Sequence, residues 1–300
     1  MRTEARPPSV GHVDNGRMPR TRPFAQVDVF SATPYGGNPV AVVLDAEGIE
    51  ESDMARIARW TNLSETTFVL PPASPDADYR LRIFTPTGEL PFAGHPTLGS
   101  ARAWLTAGGA PAREGALVQE CGAGLVTLRQ DGDALFFAAP PTIRSGDLPP
   151  EYLDHLVTGL GIGTGGVGQG AIGSQWVDNG PGWAVVEVAS AAEVLALTPD
   201  LARIPDAKVG VIGAYPEGAE CAFEIRAFAP GVGVAEDPVT GSLNASVAQW
   251  MIAAGRAPSR YTVAQGTALG RSGRVRIEAA DGEVWVGGGT TVCFTGTAWA

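Results

Sequence analysis

"HPTLGS", His95 to Ser100, recurs 142 residues later as "DPVTGS", Asp237 to Ser242, with proline, glycine and serine in register. Upstream, "RIFTP" (Arg82 to Pro86) recurs as "RAFAP" (Arg226 to Pro230), shifted by 144. Further back, "GNPVAVV" (Gly37 to Val43) pairs with "GPGWAVV" (Gly180 to Val186), shifted by 143. One match is what glycine and proline punctuation gives by chance, but three in the same order at nearly one offset are not. The chain therefore reads as two copies of one unit.

Each copy reads as strands leading into a helix. "VDVF", "VAVVL", "TTFVL" and "YRLRIF" are short β-type runs in the first copy; "WAVVEV", "KVGVIGA" and "CAFEIRAF" play the same part in the second. Proline is favoured at the first helical position, where its missing N–H has no partner to lose. His95 is then expected as the N-cap of a helix through Leu98, Ala101 and Leu105, and Asp237 as the N-cap of "VTGSLNASVAQWMIAAG". The final stretch from Tyr261 is turn-rich strand pattern with "DG" hairpin signals, able to complete either sheet. The expected fold is α+β, a mixed α/β arrangement of two pseudo-symmetric domains over residues 23–140 and 141–300, behind a disordered lead-in at 1–22.

Two helix starts facing one cleft would gather unpaired backbone N–H groups, which favour anions. One start brings His95 and the other Asp237. That suits a small anionic substrate, with titratable side chains along its carbon skeleton. A third carboxylate is in "WTNLSETTFVL", Trp60 to Leu70, where Glu65 sits between an expected helix and an expected strand.

Composition bounds the rest. Three hundred residues, 44% of them hydrophobic, with mean hydropathy +0.06, supply an ample core. Forty glycines and 24 prolines point to many tight turns between short elements. A net charge of −11 argues against nucleic acid, and no apolar run is long enough for a membrane span. Cys121, Cys221 and Cys293 have neither metal-site spacing nor a disulfide framework, which suits reduced thiols in a cytoplasm. Lys208 is the only lysine, so Schiff-base chemistry would have to rest on a residue at the start of an expected buried strand. No cofactor is expected. The polar first twenty residues lack a signal-peptide core; His12 there is given no role, and Met18 offers a second start. His155 reads as a helical surface residue.

"GNPVAVV", "NLSETTFV", "RIFTPTGELPFAGHPTLGSA", "EDPVTGS" and "QGTALGR", in that order, resemble the phenazine-biosynthesis PhzF-like family over nearly the whole chain past residue 23. The resemblance implies the diaminopimelate epimerase-like fold: two similar domains around a central cleft, each a mixed sheet wrapped on a helix. It implies cofactor-free isomerisation, typified by trans-2,3-dihydro-3-hydroxyanthranilate isomerase, and homodimers. Carried over by motif, Glu65, His95 and Asp237 are the catalytic set, with Ser64, Gly94, Gly241 and Ser242 around the substrate. The related epimerases use a cysteine pair; here His95 and Asp237 stand at those places, which favours one carboxylate working on one face. Leu243 and Val239 stand where the family commonly has alanine, so the catalytic set carries over but a particular substrate does not. The alternatives are an epimerase or racemase of an amino-acid-like substrate, and a binding protein that keeps the pocket without turnover.

Overall fold

A computed structural model describes residues 20–163 and 170–300. The first part of the chain forms β1 (Thr21–Val29), β2 (Asn38–Val43), helix α1 (Glu51–Thr61), β3 (Thr66–Leu70), β4 (Tyr79–Phe84) and β5 (Glu89–Leu90). Helix α2 (Gly94–Thr106), β6 (Ala116–Cys121), β7 (Gly124–Asp131), β8 (Ala134–Ala138) and β9 (Arg144–Gly146) follow. Next come α3 (Pro150–Leu160), β10 (Gly173–Asp178), β11 (Ala184–Val188), α4 (Ala191–Ala196), β12 (Val209–Ala214), β13 (Phe223–Ala229) and β14 (Val234–Asp237). The chain ends with α5 (Gly241–Ala253), β15 (Arg260–Gln265), β16 (Gly273–Ala280) and β17 (Glu283–Trp299). The architecture is a mixed α/β fold built on a sheet barrel. Within the expected lead-in over 1–22, Thr21 and Arg22 already pair with Trp299 and Ala298. His12 and Met18 fall outside the described residues.

The strand pairings run in the same pattern in two places. Strands β2 and β3 run parallel, β4 is antiparallel to β3, β4 is parallel to β6, and β6, β7 and β8 continue antiparallel. Strands β11 and β12 run parallel, β13 is antiparallel to β12, β13 is parallel to β15, and β15, β16 and β17 continue antiparallel. The repeated arginines do one job in both places. Arg82 grips Glu89 across β4–β5 at 2.7 and 2.6 Å, and Arg226 grips Glu236 across β13–β14 at 2.9 and 2.8 Å. A two-pronged guanidinium–carboxylate contact fixes orientation as well as distance.

The long last strand joins the two halves. Its first part pairs with β8, from Trp285–Ala138 to Gly289–Ala134, and its second part pairs with β1. This closes an eight-stranded ring, β1-β2-β3-β4-β6-β7-β8-β17, around α2. The expected "DG" hairpin forms there: Asp281 and Gly282, at φ 54° and 82°, turn β16 into β17.

Helix α2 is buried along its first turns, from Gly94 to Ala101, as a helix enclosed by sheet must be. Small residues let the strands close in; a Cβ on Gly99 would lie 2.3 Å from Val40 and 3.0 Å from Val29. Its polar groups find partners inside: Ser100 with Thr67 at 2.8 Å, and Thr97 accepting from Gln119 at 3.0 Å.

Candidate active site

Glu65 is placed by the junction between α1 and β3. Asn62 ends α1 in the left-handed conformation, and the Thr61 and Thr66 hydroxyls bond at 2.7 Å across the intervening turn. That short bridge leaves the Glu65 side chain, 14% exposed, turned toward His95, and Glu65 Oε2 lies 3.3 Å from His95 Nε2. Neither atom has a partner of hydrogen-bond geometry, although both are buried. Buried polar atoms in this condition cost stability unless something outside the chain meets them.

The starts of α2 and α5 meet. A Cβ on Gly241 would reach ordinary contact, 3.4 Å, with the Gly94 Cα and the His95 N, so the two helix starts abut; at Gly94 it is the Phe137 ring, 2.5 Å from a Cβ, that leaves no room for a side chain. The first N–H groups of each helix have no intrahelical partner, and here two such sets share one place. The caps differ from expectation. Helix α2 starts at Gly94 after Ala93, so His95 and Pro96 are its second and third residues and not cap and first residue. Proline still fits, since none of the first N–H groups has a partner to lose. Helix α5 starts at Gly241 after Thr240, so Asp237 closes β14 and is not its cap. The aspartate instead accepts the Thr240 hydroxyl on Oδ2 at 2.6 Å and the Asn38 amide on Oδ1 at 3.0 Å.

Around Asp237 stands a set of amides that the sequence reading did not single out. Gln265 donates to the Asp237 carbonyl at 3.1 Å and to the Thr240 hydroxyl at 2.9 Å, and accepts from the Thr240 N–H and from Asn244. Asn38 and Gln265 lie in "GNPVAVV" and "QGTALGR", so their motifs were visible although their roles were not. Ser242 accepts from Trp183 Nε1 at 3.0 Å, which fixes its hydroxyl at the helix start. Ser64 is partly buried beside Glu65.

Burial sets the charge state. The Glu65 carboxyl is pushed up to about 8, first by burial and then by the negative charge of Asp237. Burial raises Asp237 to about 6 against the opposing hydrogen bonds of Thr240 and Asn38. Burial holds His95 down at about 3, opposed by a hydrogen bond with the Pro39 backbone. Since Nε2 is unpartnered, that bond is donated by Nδ1–H to the Pro39 carbonyl, which leaves a lone pair on Nε2 facing Glu65. Near neutral pH the site therefore holds one negative charge, on Asp237, beside a protonated Glu65 and a neutral imidazole.

The folded protein thus keeps a proton on Glu65 that the unfolded chain, at an ordinary value of 4.5, has released. Its contribution to stability is fully present below pH 4.5 and lost as pH rises through about 8. Glu65→Gln, neutral throughout and of the same size, is expected to raise Tm by several degrees at pH 9 and by much less at pH 5. Thermal melts at the two pH values check this; an equal gain at both would show that Glu65 is not buried in its charged form.

Leu243 is fully buried against β12, where a Cβ on Gly210 would meet it at 2.7 Å, and Val239 is fully buried against Gly273 in the same way. Each large side chain is answered by a glycine in the sheet, so Leu243 fills core space and does not intrude on the cleft as its position in the motif suggests. His155 is exposed on α3. Lys208 Nζ donates to the Pro181 carbonyl at 2.7 Å. The three thiols are free, and burial raises Cys121 and Cys221. Among the described residues, no three His, Cys, Asp or Glu side chains are grouped to hold a metal, and no helix is long and apolar enough to cross a membrane.

Three comparisons bear on this arrangement. The sequence profile of the phenazine biosynthesis-like protein family matches residues 27–298. The chain is 37% identical over 289 residues to "Antisense-enhancing sequence 1" of Schizosaccharomyces pombe, covering 91% of this chain and 97% of that one. It is 35% identical over 267 residues to the trans-2,3-dihydro-3-hydroxyanthranilate isomerase of Pseudomonas aeruginosa, covering 85% and 90%. The crystal structure of a Bacillus anthracis phenazine biosynthesis protein of the PhzF family has the same fold, with TM-score 0.79 at 23% identity over 94% of this chain and all of that one. By profile, by identity and by fold, the chain belongs to the phenazine biosynthesis-like protein family, an isomerase family.

Proposed function

We propose that the protein is a cofactor-independent isomerase that moves a carbon-bound proton within a small carboxylated metabolite. The observation that carries this reading is the buried, unpartnered pair Glu65 Oε2 and His95 Nε2 at two abutting helix starts. The helix N–H groups take the substrate carboxylate. Ionised Glu65 takes a proton from one carbon, the electron pair shifts into a π-system conjugated with that carboxylate, and the Glu65 acid returns the proton to a second carbon on the same face. Nothing is oxidised or reduced, and the enzyme ends as it began. His95 orients the substrate through Nε2, and Asp237 raises the basicity of Glu65. Ser64, Gly94, Gly241 and Ser242 line the substrate. The two halves, with their repeated pairings, are read as two diaminopimelate epimerase-like domains. A homodimer in the cytoplasm, with neither nucleic acid nor membrane as partner, completes the proposal.

Incubation in deuterated water with trans-2,3-dihydro-3-hydroxyanthranilate, and with a panel of cyclic unsaturated carboxylic acids, tests the reading. One carbon-bound hydrogen should move or exchange in at least one compound. Turnover of a compound with no such movement would overturn it. The thiols provide a second test. Replacing Cys121, Cys221 and Cys293 together by serine should leave turnover nearly intact, with some loss of Tm from buried Cys221. Loss of turnover in a folded triple variant would instead point to thiol chemistry.

A further inference from the structure

Asp28 is a buried carboxylate, 3% exposed, that the proposed reaction does not use. Its neighbours Val27 and Val29 face α2 beside Gly99, so alternation along β1 turns Asp28 to the opposite side of the sheet. There Oδ2 accepts the Gly37 N–H at 2.9 Å. Gly37 has no room for a side chain, because a Cβ would stand 2.0 Å from the Val29 carbonyl oxygen. The next two residues are the ones that hold the catalytic groups. Asn38 donates to Asp237 Oδ1 at 3.0 Å and to the Val239 carbonyl at 2.9 Å, and the Pro39 carbonyl takes the His95 ring N–H.

We propose that Asp28 is a positioning residue: its carboxylate clamps the start of β2 so that Asn38 and Pro39 hold Asp237 and His95 in place at Glu65. The other half of the chain repeats the device. Asp178, at the end of β10, accepts the N–H groups of Gly180 and Gly182 at 2.8 and 2.7 Å. The residues beyond that clamp hold the start of α5, with Asn179 donating to the Ser242 carbonyl at 3.2 Å and Trp183 to its hydroxyl at 3.0 Å. The registers correspond as well. Asp28 lies opposite Pro39, and the β10–β11 register, continued from Trp176–Ala184, sets Asp178 opposite Gly182. An aspartate at the same point of both halves, each tied to residues that grip a helix start, is what a positioning role requires. Arg271 secures the same loop, donating to the Gly37 carbonyl at 3.1 Å.

The proposal rests on the assignment of His95 and Asp237 to the active site, so its test includes a measurement that needs no substrate. Asp28→Asn keeps an acceptor oxygen for the Gly37 N–H while removing the charge. Asp28→Ser is too short to reach. With three histidines in the chain, imidazole signals in NMR spectra are readily assigned. In Asp28→Ser the His95 ring N–H should lose protection from exchange and kcat should fall by about 10–100-fold with little change in KM. Asp28→Asn should restore both to within about threefold of wild type. A folded Asp28→Ser with wild-type kcat and a protected His95 N–H would overturn the proposal, as would an Asp28→Asn as impaired as the serine variant. Should the serine variant fail to fold, hydrogen exchange at the Gly37 amide in Asp28→Asn decides, since loss of protection there removes the clamp. If the reaction assigned to the site is wrong, the kinetic readout fails while the His95 and Gly37 signals still report on the clamp.

Discussion

Glu65→Gln is expected to fold, bind substrate and turn over about 10²–10⁴-fold more slowly than the wild type, the usual range for removing a general acid–base group. Glutamine keeps the size of the side chain and a hydrogen-bonding end. It also matches the resting charge, because a carboxyl raised to about 8 is mostly protonated at neutral pH. Substrate binding therefore survives, and the loss falls on kcat. The wild-type kcat/KM should rise with pH as Glu65 ionises, with an upper apparent value near 8 that belongs to the Glu65–Asp237 pair. The glutamine variant should lack that limb, and in deuterated water it should not move the carbon-bound hydrogen that the wild type moves. Full turnover in a folded Glu65→Gln would place the base elsewhere, with Asp237 next in line.

The matched arginines were legible because a side-chain contact sets them. Arg82 and Arg226 each need a glutamate on the adjoining strand, and both copies supply one. The position of Glu65 between helix and strand was legible too, since α1 ends at Thr61 and β3 starts at Thr66. Its raised carboxyl was not, because burial in the folded chain is its first cause and the second, the charge of Asp237, comes from a residue far along the chain. The helix starts were misplaced by a few residues for one reason. The proline preference marks the first turn of a helix, while the cap is set by backbone angles and by where side-chain acceptors lie. Asp237 found the Thr240 hydroxyl instead of a helix N–H. Asn38 and Gln265 lay in plain view in strand-like segments, but their partners are distant in sequence and an amide carries no titratable signal. Asp28 alternates outward in "VDVF", a position that reads as surface until the loop at 31–37 is seen to bury it.

Asp237→Asn should lower kcat by about 10–100-fold and, unlike the Glu65 variant, should shift the rising pH limb to lower pH and not abolish it. Asp237 is the second cause, after burial, that holds the Glu65 carboxyl up. Without that negative charge Glu65 ionises more readily, so the limb moves down. A carboxylate that ionises more readily is a weaker base, so the plateau falls as well. Local hydrogen bonding adds to the loss. The Thr240 hydroxyl accepts from Gln265 Nε2 at 2.9 Å and commits its own proton to Asp237 Oδ2 at 2.6 Å. An amide nitrogen in place of Oδ2 sets donor against donor, at a cost of about 1–3 kcal/mol that will show as a lower Tm. The bond from Asn38 to Oδ1, at 3.0 Å, can persist with the asparagine oxygen, so the fold should hold. Steady-state rates from pH 5 to 10, beside wild type, measure both effects. A limb unmoved from wild type, with an unchanged plateau, would show that Asp237 does not act on Glu65 and would leave burial alone to account for the basicity of the site.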